Sequence, residues 1–477
     1  MFGESIVTAC SILKTGTSRR PLRHAVVMGG SFAGLLAARV LSDHVERVTI
    51  LERDELVRGP EPHKSVPQGH HLNALLVRGQ LIAEALLPGL TDELVAAGSV
   101  LVNGGREFAW YHLGGWRVRY DSDLFFLSLS RPLLESRIAE RVRALPNVTV
   151  LDGVRTIGLR SDGSRITGVR LARAGGQHQT DEIEADLVVD ATGRGSSTPQ
   201  WLTELGFSGP ETELFGARVT YSTCTFRRSD ERSDWRALMV SDKTARRGGS
   251  LVPIEGGRWL VTLPSFFDEP SPQDHDAFLA FARSLAVPDL YDVIRTCEPM
   301  SEIKRYRFVG SLRRRYERLE RFPEGLIVIG DAVCSFNPVY AQGMTVSVIE
   351  AEALNRTLAC VARDGGIGPD FARRWFQTIK PAVDVAWNGI SLEDLRFPEL
   401  AAQRPFRMRP VQWYMERVHR ATHRSPAVTD QFYRVLNFLD PPSRLFRPSV
   451  ITEILFGGRG DPPPKALPRG APLGEVT

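Results

Sequence analysis

A hexapeptide of mostly small residues, Gly29-Gly30-Ser31-Phe32-Ala33-Gly34, separates an apolar run (Ala25 to Met28) from an Ala- and Leu-rich segment (Ala33 to Leu41), and Glu52 closes the next apolar run, Val48 to Leu51. This order predicts strand, tight turn, helix and strand, the arrangement that holds a dinucleotide. Gly29 permits the turn, Gly34 lets helix and strand pack closely, and the free N–H groups of the helix start suit a pyrophosphate. Ser31 stands where a second glycine is usual. Glu52 can accept both hydroxyls of an adenosine ribose, and its charge disfavours a 2′-phosphate, which leaves FAD or NAD.

A second group of residues lies far downstream. Gly330-Asp331 ends the apolar run Leu326 to Ile329, Pro338 follows, and Gln342-Gly343-Met344 opens a helical pattern through Val346, Ile349 and Leu354. A carboxylate at a strand exit can hold sugar-alcohol hydroxyls. The helix start at Gly343 and Met344 carries a partial positive charge, worth about 0.3–2 kcal/mol to a nearby anion such as a reduced flavin. Between the two groups, Asp190-Ala191-Thr192-Gly193-Arg194-Gly195-Ser196 closes the strand predicted over Ala185 to Asp190. Small residues at a strand end let backbone approach a cofactor.

These turns need a sheet to hold them. The chain predicts an α/β fold: a Rossmann-like, three-layer FAD-binding domain interleaved with a mixed β-sheet substrate domain, plus C-terminal helices. Its parts fall at 23–100, 127–208 and 311–365 for the FAD-binding domain and 101–126 and 209–310 for the substrate domain. A helical region at 366–456 follows, with disordered ends at 1–22 and 457–477. Finer expectations are a helix from Leu72 to Leu87, a hairpin turned at Gly114-Gly115, and a small antiparallel excursion made of Val148 to Leu159 and Arg165 to Ala172. In the strand Val219 to Phe226, either Val219, Tyr221, Thr223 and Thr225 or Thr220, Ser222, Cys224 and Phe226 face the substrate.

The three motifs, in this order, resemble the single-component FAD-dependent monooxygenases, the family of aromatic hydroxylases, squalene epoxidases and bacterial polyketide and terpenoid epoxidases. The resemblance runs over roughly residues 24–360, with Asp331, Pro338, Gln342 and Gly343 matching its third motif; Cys334, Ala341 and Thr345 stand where that family usually has His, Gly and Asn. It implies a flavin contact for Arg131 near the pyrophosphate and ribityl chain, and contacts to the adenine side from Arg53 and the backbone at Ile157. Pro338, Gly343 and Met344 would surround the flavin ring. The Pro62-to-His71 and Pro253-to-Trp259 segments look most like the bacterial epoxidase branch.

The resemblance also implies a reaction. NADPH or NADH reduces FAD, O2 adds at flavin C4a, and the hydroperoxide passes oxygen to an alkene of a small apolar polyketide or terpenoid intermediate. An aromatic-ring hydroxylase and a flavin-binding protein without turnover are the alternatives. No paired-carboxylate or Ser-His-Asp constellation occurs, as expected where the cofactor does the hard step. Phenol hydroxylation would be helped by a base.

Composition narrows the rest. With 477 residues, 60 Lys+Arg against 56 Asp+Glu and 42% hydrophobic residues, the chain reads as an ordinary globular protein of two joined domains, without a nucleic-acid partner. Five scattered cysteines encode neither a disulfide framework nor a metal cage and fit the cytoplasm, and no apolar run reaches a membrane span. His63, His70 and His71 lack ligand partners at metal spacing and read as loop residues. Arg407 to Arg424 reads as a solvated helix packed on the body, with a membrane-surface role as the alternative.

Overall fold

The computed structural model describes residues 22–55, 59–61, 67–173, 180–228, 234–242 and 245–457. Apart from Leu22 and Gly457, the two expected disordered ends lie outside them, as does His63.

The framework is a five-stranded parallel sheet. Its elements are β1 (His24–Met28), α1 (Phe32–Leu41), β2 (Arg47–Leu51), α2 (Arg131–Arg143), β3 (Val148–Leu151), β4 (Leu187–Asp190), β5 (Leu326–Val328), α3 (Gly343–Arg363) and α4 (Phe371–Asp394). The strand order is β5-β4-β1-β2-β3, with β1 in register with β4 on one side and β2 on the other. Every residue of β1, β4 and β5 is buried. Continuous apolar strands are what a sheet covered on both faces demands. Helices α1, α2 and α3 pack together over it, and a three-stranded antiparallel sheet (Val154–Ser161, Ile166–Arg173, Thr180–Glu184) packs against β2 and β4.

The inserted segments build a seven-stranded mixed sheet in the order Lys304–Phe308, Val219–Arg227, Arg258–Phe266, Arg247–Ile254, Ala237–Asp242, Phe108–His112, Gly115–Trp116. Only Ala237–Asp242 and Phe108–His112 pair in parallel, which is how a strand from before α2 joins strands from after β4. The strand Val219–Arg227 divides its two faces. Cys224 and Phe226 join Phe278 and Phe281 of the His275–Arg283 helix in one core, whereas Val219 and Tyr221 join Phe266, Phe308 and Phe397 in another. The aromatic Trp110 packs with Tyr414, Phe432 and Tyr433 of the C-terminal helices, and Trp116 lies in the core beneath the sheet.

Three local expectations are corrected. The helix expected from Leu72 begins at Val77. The apolar spacing there reports burial, and the Leu72 and Leu76 N–H groups donate outside any helix, to Thr262 Oγ1 (3.3 Å) and Thr345 Oγ1 (3.0 Å). The stretch Val148 to Leu159 is cut at Gly153 (φ 65°), so that Val148–Leu151 belongs to the parallel sheet and only Val154–Ser161 to the antiparallel one. The hairpin turn sits one residue earlier than expected, at Leu113 (φ 49°) and Gly114 (φ 82°), both left-handed as a tight hairpin twist requires.

Helix α4 seals the sheet edge through Trp375, which is fully buried and donates from Nε1 to the Val328 carbonyl of β5 at 3.0 Å. Trp375→Ala is expected to cost about 3–5 kcal/mol through the cavity it leaves. A urea titration followed by far-UV circular dichroism should show the midpoint fall; an unchanged midpoint would remove α4 from the framework.

Candidate cofactor and substrate site

The turns at the carboxyl ends of β1, β4 and β5 converge. At the first, Gly29 has φ +101°, and a Cβ there would lie 2.6 Å from the Ala191 carbonyl oxygen; one at Gly34 would lie 1.9 Å from the Gly29 oxygen. The close packing of strand, turn and helix therefore excludes any side chain. The Gly30 N–H donates to Glu52 Oε2 at 2.7 Å, and the Asp54 N–H to Glu52 Oε1 at 3.0 Å. Ser31 does not cap α1 with its own side chain. Its Oγ donates to Glu135 Oε1 (2.8 Å), which also accepts from the Phe32 N–H (3.1 Å) and from Arg131 Nη2 (2.9 Å). An arginine and a carboxylate four residues apart on α2 thus close over the start of α1.

At the middle turn, Asp190 is fully buried and accepts from the Thr192 N–H (2.9 Å) and from the hydroxyls of Thr192, Ser196 and Thr198. That bonding fixes Gly193 (φ +78°), whose missing side chain leaves room beside Asp331. Arg194 reaches back to Ser335 Oγ at 3.4 Å and lies over the Phe308 ring of the mixed sheet.

At the third turn, Asp331 stands beside Gly343 at the start of α3. Burial pushes its carboxyl above the usual range, while Arg131 and Arg194 draw it back. One side chain thus feels Arg194 of the middle turn and Arg131 of α2, which closes over the first. Behind it, Gly330 (φ 62°) donates its N–H to Glu350 Oε2 at 2.6 Å. Glu350 is buried and its carboxyl is pushed up to about 8, first by burial and then by Asp331. Buried Gln342 Oε1 lacks a hydrogen-bond partner among the described residues.

The mixed sheet reaches this site through Tyr221, whose hydroxyl donates to buried Asn337 Oδ1 at 2.8 Å, one residue before Pro338. This settles the phase of Val219–Arg227: Tyr221 and Thr223 face the turns. Facing the same side is His71, whose Nδ1 hydrogen bonds Thr223 Oγ1 at 2.7 Å, itself 2.8 Å from Thr262 Oγ1. Its ring lies 5.9 Å from that of Tyr221 and 5.8 Å from that of Tyr306. Burial, then His70, hold it neutral, with a pKa lowered to about 4.

The residues anticipated from sequence divide in two. Gly29, Ser31, Gly34, Glu52, Arg131, Asp331, Pro338, Gly343 and Met344 lie on the converging turns and the helices they open. Arg53 follows Glu52 and is exposed, and half-exposed Ile157 sits at a register shift between Thr156 and Gly158, where its backbone leaves the ladder. Glu135, Arg194, His71 and Tyr306 were not anticipated. Arg194 follows directly on the middle motif and Glu135 is four residues from Arg131, whereas nothing local marks His71.

The three departures from the family pattern have local accounts. Ala341 adopts φ 56°, the left-handed region where glycine is at ease. Thr345 accepts the Leu76 N–H, and Cys334 is a buried thiol whose pKa burial pushes well up, so it stays protonated. One group of metal-ligand types occurs among the described residues: His112, Glu393 and His419, within 4.8 Å. Arg117 donates to His419 Nδ1 at 3.2 Å and Arg396 Nε lies 3.3 Å from Glu393 Oε1, so two guanidiniums already hold the place a cation would take.

Glycine cradles at helix starts, a ribose-ready carboxylate and a second carboxylate at the opening of α3 suit a dinucleotide carrying a flavin, and they define the class: an FAD-binding oxidoreductase. The model of the FAD binding domain matches residues 23–367, and the chain belongs to that family. Protein Rv3254 of Mycobacterium tuberculosis is 32% identical over 443 residues, covering 89% of this chain and 92% of its own. A 6-methylpretetramide 4-monooxygenase of Streptomyces rimosus is 26% identical over 373 residues, 72% of this chain and 78% of its own. Among solved structures, a flavoprotein/dehydrogenase from Cytophaga hutchinsonii superposes with TM-score 0.66 at 15% identity, covering 91% of this chain and 96% of its own.

Two substitutions test the turns. Ala341→Gly relieves a left-handed residue worth about 1–2 kcal/mol, less the entropy a glycine adds to the unfolded chain, about 0.4–1 kcal/mol. It is expected to raise the melting temperature with flavin absorbance intact; a fall would contradict the strained turn. Glu350→Gln addresses the buried acid. With a folded pKa near 8 against 4.5 unfolded, the folded state holds the extra proton, so Glu350 costs stability as pH rises from 4.5 to 8. Across that window each pH unit costs about 1.4 kcal/mol. The variant should lose this decline in denaturation curves taken at pH 5, 6.5 and 8, and parallel curves would show that Glu350 does not titrate there.

Proposed function

We propose that the chain holds FAD across the three turns and, with NADPH or NADH as electron donor, places one atom of O2 on a small apolar organic molecule lying against the mixed sheet. The observation that carries this is the Tyr221–Asn337 hydrogen bond, which locks the face of the sheet bearing Tyr221 and Thr223 against the loop that opens α3. In this reading Gly29, Ser31 and Gly34 leave the start of α1 open to the pyrophosphate with Arg131 neutralising it, Glu52 takes the ribose, Arg53 and the Ile157 backbone lie at the adenine, and Asp331 takes the ribityl chain. Pro338, Gly343 and Met344 border the ring. When bound, the flavin supplies hydride acceptance and O2 activation.

The chain's own work is orientation and the exclusion of water. Tyr221 and Tyr306 present rings to the substrate side, and the buried Tyr221 hydroxyl stays protonated because burial raises its pKa far up. The sheet strands at 101–126 and 209–310 form the substrate domain, and 23–100, 127–208 and 311–365 the FAD-binding domain. The cytoplasm is the compartment we favour, since Cys224, Cys334 and Cys360 are free.

Epoxidation of an alkene in a polyketide or terpenoid intermediate is the reaction we favour, because it needs no side-chain base. Hydroxylation of an aromatic ring is the second reading. His71 favours it, as a neutral imidazole on the substrate side that could take up a phenolic proton. Purified yellow protein is expected to oxidise NAD(P)H faster with an apolar alkene present and to yield a product carrying one oxygen from isotopically labelled O2. A phenol product formed by wild type and lost in His71→Ala would replace the epoxidase by the hydroxylase. Absence of flavin, or of any NAD(P)H oxidation across the substrates tried, would sink both.

A further inference from the structure

The C-terminal helix Arg409–Ala421 buries Tyr414, Val418 and Ala421 against the body, as its sequence pattern suggests, yet its outward ridge is not an ordinary polar one. Phe406, just before it, is 80% exposed and Trp413 is 52% exposed. From 404 to 424 the chain carries six arginines and a single carboxylate, Glu416, which Arg420 pairs. Arginine guanidiniums lie over the exposed rings: Arg417 Cζ sits 3.5 Å from the Trp413 centroid and Arg409 Cζ 5.5 Å from that of Phe406. Arg407 is exposed. Exposed aromatic rings with basic side chains along their flanks describe an element that lies in a lipid interface.

The helix has 13 residues, about 20 Å, and among the described residues no helix is long and apolar enough to cross a membrane. The segment can therefore rest on a bilayer without spanning it. Its position gives that contact a use. Met408, between Phe406 and the helix, packs against the core that holds Tyr221 and that Tyr306 and Val339 also border, so one hydrophobic cluster runs from the foot of the exposed patch to Tyr221. An apolar substrate dissolved in lipid would reach the site there without crossing water.

We propose that the Phe406–Trp413 face docks the protein on anionic lipid, with the arginines meeting the headgroups and Phe406 and Trp413 entering the interface. Anionic lipid is preferred to an acidic protein partner because the apolar side chains project singly from a convex helix, which suits a fluid interface better than a fitted pocket.

The test uses the full-length FAD-loaded protein, sedimented with vesicles of phosphatidylcholine alone or mixed with phosphatidylglycerol. Binding to the mixed vesicles is expected to exceed that to phosphatidylcholine by about tenfold or more and to fall with added salt. Phe406→Ser with Trp413→Ser, and separately Arg407→Glu with Arg409→Glu, are each expected to lower it about tenfold while flavin absorbance and melting temperature hold. If the aromatic pair fails to fold, the charge pair decides alone. Equal sedimentation with both vesicle types, none with either, or binding that both variants leave intact would overturn the proposal, and an acidic protein as true partner would appear as the second of these. Sedimentation reads docking without turnover, so its outcome is separate from that of the monooxygenase reading.

Discussion

Four carboxyl groups hold the turns on which everything else rests, each by accepting a backbone N–H: Glu52 from Gly30 (2.7 Å), Glu135 from Phe32 (3.1 Å), Asp190 from Thr192 (2.9 Å) and Glu350 from Gly330 (2.6 Å). Turns at strand ends leave N–H groups without partners, and a buried one costs about as much as a lost hydrogen bond. Ionised acceptors make the stronger bonds, whereas Glu350, pushed up to about 8, largely keeps its proton at neutral pH. They also concentrate negative charge where a diphosphate would bind, so the same site must carry compensating cations. Arg131 meets Glu135 directly, and Arg131 and Arg194 both act on Asp331. Glu350 has no arginine on it, and it is the carboxyl whose pKa is pushed furthest into the neutral range. Rigidity of the turns and tolerance of an anionic cofactor are thus set by one charge distribution.

Much of the framework was legible because it obeys simple periodicities. The runs at Ala25 to Met28, Val48 to Leu51 and Leu187 to Val189 are unbroken because both sheet faces are covered, and the glycines at 29, 34, 193 and 330 mark turns where a Cβ or an ordinary φ is excluded. Gly29, Ser31, Gly34, Arg131, Asp331 and Gly343 were legible for the same reason: each sits at a punctuation point between strand and helix. What was not legible depended on contacts between distant segments. The helical spacing of Leu72, Leu75 and Leu76 hid an extended segment held by Thr262 and Thr345. The facing side of Val219–Arg227 was undecidable by alternation, since both sets contain small polar and large apolar residues, until Asn337 selected Tyr221.

His71 shows the limit most clearly. Beside His70, and close to His63 in sequence, it looked like one of a group of loop histidines, yet it is buried against Thr223. Its placement follows from Thr345 on α3. The Thr345 hydroxyl accepts the Leu76 N–H, which keeps Leu76 out of the following helix; the Thr262 hydroxyl takes the Leu72 N–H and, through Thr223, joins the same polar chain that holds His71. Thr345 occupies the position where the family pattern has asparagine, one turn into the helix that opens at Gly343. A residue of α3 and a residue of the mixed sheet therefore both hold the segment that follows His71. Departures from a family motif in such a site need not weaken the cofactor's hold; by changing which loop the helix start grips, they can change what the cofactor faces.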